Sequence, residues 1–162
     1  MNTRVGIGFD SHRFAAGRQL RIAGVVVPHT HGLVGHSDGD VALHALCDAL
    51  LGAAALGDIG QHFPDDDPQW KGVDSTRFVR KIVELLQQAG YGVGQVDITV
   101  LAERPKIAPH VAPMRAATAK ALGVDEGAVN IKAKTNEGMG WLGRGEGVAA
   151  LAVATVVRTA AG

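Results

Sequence analysis

Asp10 and His12 stand two positions apart in GFDSHRF, residues 8–14. In an extended chain positions i and i+2 face the same way, so this carboxylate and imidazole can reach one cation of borderline hardness such as zinc, or hydrogen-bond to each other. A catalytic zinc takes three protein ligands and keeps a fourth position open, so a third donor decides between the two readings. HSDGDVALHALCD, residues 36–48, offers one: Asp40, His44 and Asp48 recur at i, i+4 and i+8. Each step of four drifts only about 40° around a helix, which puts all three on one face. Such a polar stripe on a helix otherwise made of Ala, Leu and Val reads either as a capped or salt-bridged patch, or as a metal-binding imidazole oriented by flanking carboxylates.

The elements that must carry these groups are legible in outline. At 162 residues and 46% hydrophobic composition, the chain is long enough for one core and hardly for two, so residues 1–162 are expected to form one domain. Sixteen basic and sixteen acidic residues balance, so no long-range field favours nucleic acid or an anionic membrane. Any anionic ligand must be held locally. A single cysteine, Cys47, excludes an internal disulfide framework and suits a reducing compartment. No signal-peptide pattern opens the chain and no stretch reaches about 18 uninterrupted apolar residues, which predicts a soluble, cytoplasmic protein. Val5, Ile7 and Phe9 alternate with glycines as in a strand, and residues 20–22 and 25–27 suggest a hairpin about Ala23-Gly24. Helices are predicted over 40–56, 75–89 and 110–122, strands over 96–102, 129–135 and 148–157. The last strand is apolar on both faces and should be covered on both, once by helices and once by another subunit.

Three stretches together, GFDSHRF, GHSDGDVALHALCDALLGAAALGDIGQHFPD and KTNEGMGWLGRGEG, resemble the 2-C-methyl-D-erythritol 2,4-cyclodiphosphate synthases of the non-mevalonate isoprenoid pathway. The likeness runs nearly end to end, with the D-x-H element, the HSDGD helix start, the GDIG-x-x-FPD loop, the RPK turn and the GRGEG loop in the family's order. It implies an α+β subunit, a four-stranded mixed sheet with helices on one face and its other face packed around a homotrimer axis. Active sites then lie between neighbouring subunits.

By that resemblance Asp10, His12 and His44 hold Zn2+ or another divalent transition metal, and Glu137 is the protein ligand of Mg2+ or Mn2+ bound with the substrate diphosphate. His36 and Thr135 match the catalytic positions that donate to the phosphates, with Ser37 beside His36; a histidine at such a place can equally cap the helix that follows. Asp58, Ile59 and Gly60 match contacts to the methylerythritol, and Phe63, Pro64, Asp65, Asp66 and Asp67 the segment that covers it. Ala102, Glu103, Arg104, Pro105, Lys106, Ile107 and Ala108, with Ala133, Lys134 and Thr135, match the cytosine pocket, and Asn136 is a further substrate-binding position. Trp141 and Arg144 lie, by resemblance, near a central cavity that can hold an isoprenoid diphosphate, although Arg144 and Glu146 would also serve as a structural ion-pair ring. Lys134 stands where Thr, and Trp141 where Phe, is familiar in that family. The implied reaction converts 4-diphosphocytidyl-2-C-methyl-D-erythritol 2-phosphate to the cyclic diphosphate and CMP. Its nucleophile is already an anion, which suits motifs with no evident general base. Two other readings stay open: a zinc hydrolase using metal-bound water, and a trimeric nucleotide-binding module.

Overall fold

The first strand, β1 (Thr3–Ala16), runs unbroken for 14 residues. Asp10 and His12 therefore lie inside a strand, where the apolar run alone suggested its end. The computed structural model describes residues 2–159; Met1 and residues 160–162, the ends of the expected domain, lie outside the described residues. After β1 come the two-residue strands β2 (Arg21–Ile22) and β3 (Val25–Val26), then β4 (His31–Leu33), α1 (Val41–Ala54), the single turn α2 (Ile59–His62) and α3 (Thr76–Gln88). The chain continues through β5 (Tyr91–Leu101), α4 (Val111–Leu122), β6 (Val129–Lys134), a second single turn α5 (Gly140–Gly143) and β7 (Gly147–Arg158).

The main sheet has five strands in the order β4-β1-β7-β5-β6. β1 and β5 each pair antiparallel with β7, while β5 and β6 pair in parallel. The sheet is thus mixed, as expected, but with one strand more than the four anticipated. The extra one is β4, three residues paired with Phe14, Ala15 and Ala16 of β1. A segment so short carries no alternation from which a strand can be read.

All three long helices form a layer on one face: α1 lies across β1, β7 and β5, with α3 and α4 following beside it. Every residue of α1 is buried except His44, Asp48 and Gly52. Its start is fixed by Asp40, whose carboxylate accepts from the Leu43 N–H, and its end by Ala55 in the left-handed region. Gly6 and Gly8 of β1 face this helix. A Cβ at either would collide with the Ala49 or Ala45 carbonyl oxygen, so only glycine lets the two backbones come this close. On the opposite face of β1, Val5, Ile7 and Phe9 are 67%, 70% and 56% exposed, next to the exposed Leu151 and Val153 of β7. β7 is apolar on both faces, as read; the helix-facing one is covered, while on the other Leu151, Val153 and Val157 stand exposed. No helix among the described residues is long and apolar enough to cross a membrane.

The seam between β1 and α1 can be tested with one kind of substitution placed at two glycines. Gly8→Ala must push helix and strand apart and should cost about 3 kcal/mol, a fall in Tm of roughly 6–12 °C. Gly52→Ala, inside α1 and facing open space, should leave Tm unchanged or raise it, since alanine is the better helix former by up to ~1 kcal/mol. Thermal melts of the two variants against the parent check both signs.

Candidate metal centre

Two residues along β1 correspond to about one turn back along α1: Gly6 meets Ala49, and Gly8 meets Ala45. The next residue on that side of the strand is Asp10, and His44, adjacent to Ala45 on the helix, turns its ring toward it. Asp10 Oδ2 lies 2.8 Å from His12 Nε2 and 3.1 Å from His44 Nδ1, and the two ring nitrogens are 3.0 Å apart. A tetrahedral zinc with ligands at about 2.0–2.1 Å separates its donors by roughly 3.3 Å. The three atoms therefore already sit within a few tenths of an ångström of a closed set of zinc donors, and the donor types, two imidazoles and one carboxylate, are those zinc takes. Among the described residues no other three His, Cys, Asp or Glu side chains converge in this way.

Burial alone would raise the Asp10 pKa, but the hydrogen bonds and charges of His12 and His44 outweigh it and hold the carboxyl below its usual range. Burial likewise pushes His44 down, and the Asp10 hydrogen bond, with the charges of Asp10, Asp40 and Asp38, pulls it above its ordinary value. The cluster is thus built around positive charge at its centre, carried by a proton or by a cation.

The far side of the His44 ring does not meet the carboxylates expected from helical spacing. Nε2 lies 2.9 Å from Ser37 Oγ and 2.9 Å from Ser75 Oγ. Ser75 in turn donates both its hydroxyl and its backbone N–H to the Asp38 carboxylate. Asp40 is fully buried and turned the other way, accepting from the Ala23 N–H at 2.8 Å, Gly24 N–H at 2.7 Å and Leu43 N–H at 3.1 Å. Burial and the nearby Asp38 charge push its pKa up, against the pull of those N–H groups. Asp48 accepts from the Ile59 N–H at 2.8 Å and so anchors the segment after α1. His44 and Asp48 do face the same cleft, but Asp40 lies outside the helix as its buried cap and Asp48 serves as a loop anchor, so the expected three-residue stripe is not formed and neither carboxylate bonds to the imidazole. Ser75 and Asp38 were not singled out because they approach His44 from another helix start and another turn, a relation no local spacing encodes.

Asp10, His12 and His44 open onto a cleft of about 260 Å³ that His36, Ser37, Asp48, Ile59, Gly60, Phe63 and Asp65 also line. His36 Nε2 donates to the Asp67 carbonyl at 3.2 Å, which ties it to the acidic segment. Phe63 is buried against Phe78 and Trp70. Asp58 and Asp67 spend their carboxylates capping short helices, on Gln61 and Gln69 respectively, while Pro64 and Asp66 are exposed outside the lining.

The second group of expected residues gathers elsewhere. Ala102 donates its N–H to the Lys134 carbonyl, and Glu103 Oε1 accepts from the Asn136 N–H at 2.7 Å, so the 102–108 and 133–137 segments form one unit. Ala102 and Ile107 are buried, while Arg104, Lys106, Ala108, Lys134, Thr135 and Glu137 are exposed; Pro105 and Ala133 are half-buried. Glu137 sits in the left-handed region at φ 52°. None of these lines the cleft. Asp10 pairs with Ala150, Ala150 with Val100 and Val100 with Ala133, so the two groups share one end of the sheet but stand three strand spacings, about 14 Å, apart. Trp141 is 37% exposed, and Arg144 Nε donates to Glu146 at 2.7 Å.

The pattern of the YgbB family matches residues 3–157. Over 155 residues the chain is 56% identical to the 2-C-methyl-D-erythritol 2,4-cyclodiphosphate synthase of Thioalkalivibrio sulfidiphilus, covering 96% of this chain and 97% of that protein. It is also 56% identical over 154 residues to the bifunctional enzyme IspD/IspF of Novosphingobium aromaticivorans, covering 95% of this chain but only 40% of that longer protein. Among solved structures, a 2C-methyl-D-erythritol-2,4-cyclodiphosphate synthase in its CDP-bound form is similar with a TM-score of 0.86 at 38% identity, covering 94% of this chain and 99% of that one.

The position of Asp40 separates its two readings. Asp40→Ala strips three buried N–H groups of their acceptor and should cost about 3 kcal/mol or more in stability. Purified at low temperature, the variant should nonetheless take up zinc at the parent's stoichiometry, as measured by elemental analysis alongside a melt.

Proposed function

The chain belongs to the YgbB family, and from that membership together with its cleft we propose that it is an enzyme of isoprenoid biosynthesis, a phosphorus-oxygen lyase that cyclises 4-diphosphocytidyl-2-C-methyl-D-erythritol 2-phosphate to 2-C-methyl-D-erythritol 2,4-cyclodiphosphate and releases CMP. The observation that carries the reading is the convergence of Asp10, His12 and His44 within 3.1 Å of one another at the wall of a cleft shared with His36 and Ser37.

Asp10, His12 and His44 would hold Zn2+ or a similar divalent metal, which supplies Lewis acidity toward a phosphate oxygen when bound. The remaining work falls to the chain. An oxygen of the substrate's 2-phosphate forms a bond to the β-phosphorus as the bond from that phosphorus to the oxygen it shares with the α-phosphorus breaks, the electron pair leaving with CMP. The attacking oxygen is already anionic and no base is required; alignment and neutralisation of charge set the rate. His36, Ser37 and Thr135 donate hydrogen bonds to the phosphates. Ile59, Gly60, Phe63 and Asp65, with the rest of the 58–67 segment, enclose the polyol, whose hydroxyls are donors suited to acidic and carbonyl oxygens. Residues 102–108 with 133–136 receive the cytosine through backbone groups, and Glu137 would ligate Mg2+ or Mn2+ carried on the diphosphate.

These two halves lie about 14 Å apart in one protomer, further than a diphosphate reaches. The exposed apolar face of β1 and β7 supplies the means of joining them. Packing that face around a three-fold axis gives a homotrimer in which the metal half of one chain meets the nucleotide half of the next, and burial at about 25 cal/mol per Å² favours assembly. Trp141 and Arg144 would then border an axial cavity suited to an isoprenoid diphosphate. One domain, 1–162, carries all of this, and the cytoplasm is the compartment proposed for it.

Incubation with the diphosphocytidyl substrate, zinc and magnesium should give CMP and the cyclic product. Release of a linear phosphate would mean a hydrolase, and tight nucleotide binding without turnover a binding module. His44→Ala should lose zinc and activity while keeping its oligomeric state, by elemental analysis, product assay and sedimentation; full zinc content would remove His44 from the ligand set. Mixing inactive His44→Ala chains with inactive Glu137→Gln chains under exchange conditions should restore part of the activity. Mixed oligomers as inactive as both parents would rule out the shared site.

A further inference from the structure

Three atoms converge on the metal centre only if His44 turns a lone pair toward them, and which nitrogen carries its proton is decided on the far side of the ring. Ser75 is completely buried and has one hydroxyl proton. That proton goes to Asp38 Oδ1, while Asp38 Oδ2 accepts the Ser75 backbone N–H at 3.0 Å, so both carboxylate oxygens hold the serine in place. A hydrogen bond to an ionised carboxylate is about twice as strong as one between neutral groups, so it outcompetes donation to an imidazole. What Ser75 Oγ presents to His44 Nε2, 2.9 Å away, is therefore a lone pair. Nε2 must carry a hydrogen, and Nδ1, 3.1 Å from Asp10 Oδ2, is the nitrogen whose own proton a cation at the centre would replace. Ser37 Oγ, also 2.9 Å from Nε2, is a second acceptor for the same N–H, and its own hydroxyl proton can go to Ser75 Oγ at 3.4 Å or to a ligand in the cleft.

We propose that Asp38 and Ser75 are positioning residues for the metal centre: a carboxylate–hydroxyl–imidazole relay that locks His44 in the Nε2–H tautomer and polarises its Nδ1 lone pair toward the cation. Neither residue lines the cleft. Metal-bound histidines commonly give their second N–H to a carboxylate or carbonyl, and loss of that partner typically costs 10–100-fold in metal affinity. Here a serine stands between ring and carboxylate. The inference rests on the reading of Asp10, His12 and His44 as metal ligands.

The first measurement needs no substitution. Long-range 1H–15N correlation on the chelator-stripped protein should show a proton on His44 Nε2, whether or not Nδ1 is also protonated toward Asp10; an Nε2 without a proton overturns the relay. The second is zinc affinity by competition with a chromophoric chelator. Ser75→Ala removes the acceptor, and Asp38→Asn leaves one acceptor oxygen for the two bonds from Ser75. In both, checked for folding by circular dichroism, Kd for zinc should rise 10–100-fold, with zinc still bound at saturating metal, and Asp38→Asn should show a mixture of tautomers. Parent-like affinity in folded variants also overturns the relay. Failure of the parent itself to bind zinc at Asp10, His12 and His44 would instead refute the metal reading, and the tautomer measurement keeps the two outcomes apart.

Discussion

Everything at the candidate site depends on how closely α1 can lie on β1. Two glycines on the strand, Gly6 and Gly8, face alanines on the helix, and the backbones touch where side chains would ordinarily keep them apart. Just past Gly8 on the strand stands Asp10, and beside Ala45 on the helix stands His44, so the close glycine–alanine contact brings these two side chains together. The same seam continues past the helix start to His12, whose ring comes near the turn holding Gly35. A metal centre placed here needs no loop to bring its donors together.

The site also shows how a helix that is apolar nearly all round can present chemistry. On α1 only His44, Asp48 and Gly52 escape burial, and the two polar ones are each assigned a partner: His44 joins Asp10 and the serine pair, and Asp48 holds the backbone after the helix. Charge in such surroundings is weakly screened, so the Asp10 carboxylate acts on both imidazoles more strongly than it would at an open surface. The opposed pKa shifts of Asp10 and His44 are one interaction seen from its two ends.

Much of this was legible in the chain itself. The i, i+2 spacing of Asp10 and His12 survives because the strand is regular through both, and the helix and the doubly apolar β7 follow from composition, although the helix ends at a left-handed Ala55. What spacing could not give was direction in the third dimension. His44 and Asp48 do share a helical face, but Asp40 is the extended residue before the helix, and its cap geometry turns it toward Ala23 and Gly24, a direction that helical spacing does not encode. Ser75 and Asp38 lie 31 and 6 positions from His44 along the chain, on no common element, so neither carries a periodic signal. β4 is invisible for a simpler reason: three residues cannot display alternation, and the strand exists because β1 has an open edge to pair with. The 102–108 and 133–137 segments were correctly grouped, since parallel β5 and β6 end together, but only register reveals their distance from Asp10.

Asp10 and His12 are hung on a continuous ladder to β7, whose pairing extends from Thr3 to Arg13. Side chains on loops sample many arrangements before a ligand arrives, and ordering them is a cost subtracted from affinity. Two of the three donors here are ordered when the sheet forms, and the third when the helix docks. For a cation bound there, the intrinsic attraction would go into holding it rather than into gathering its ligands.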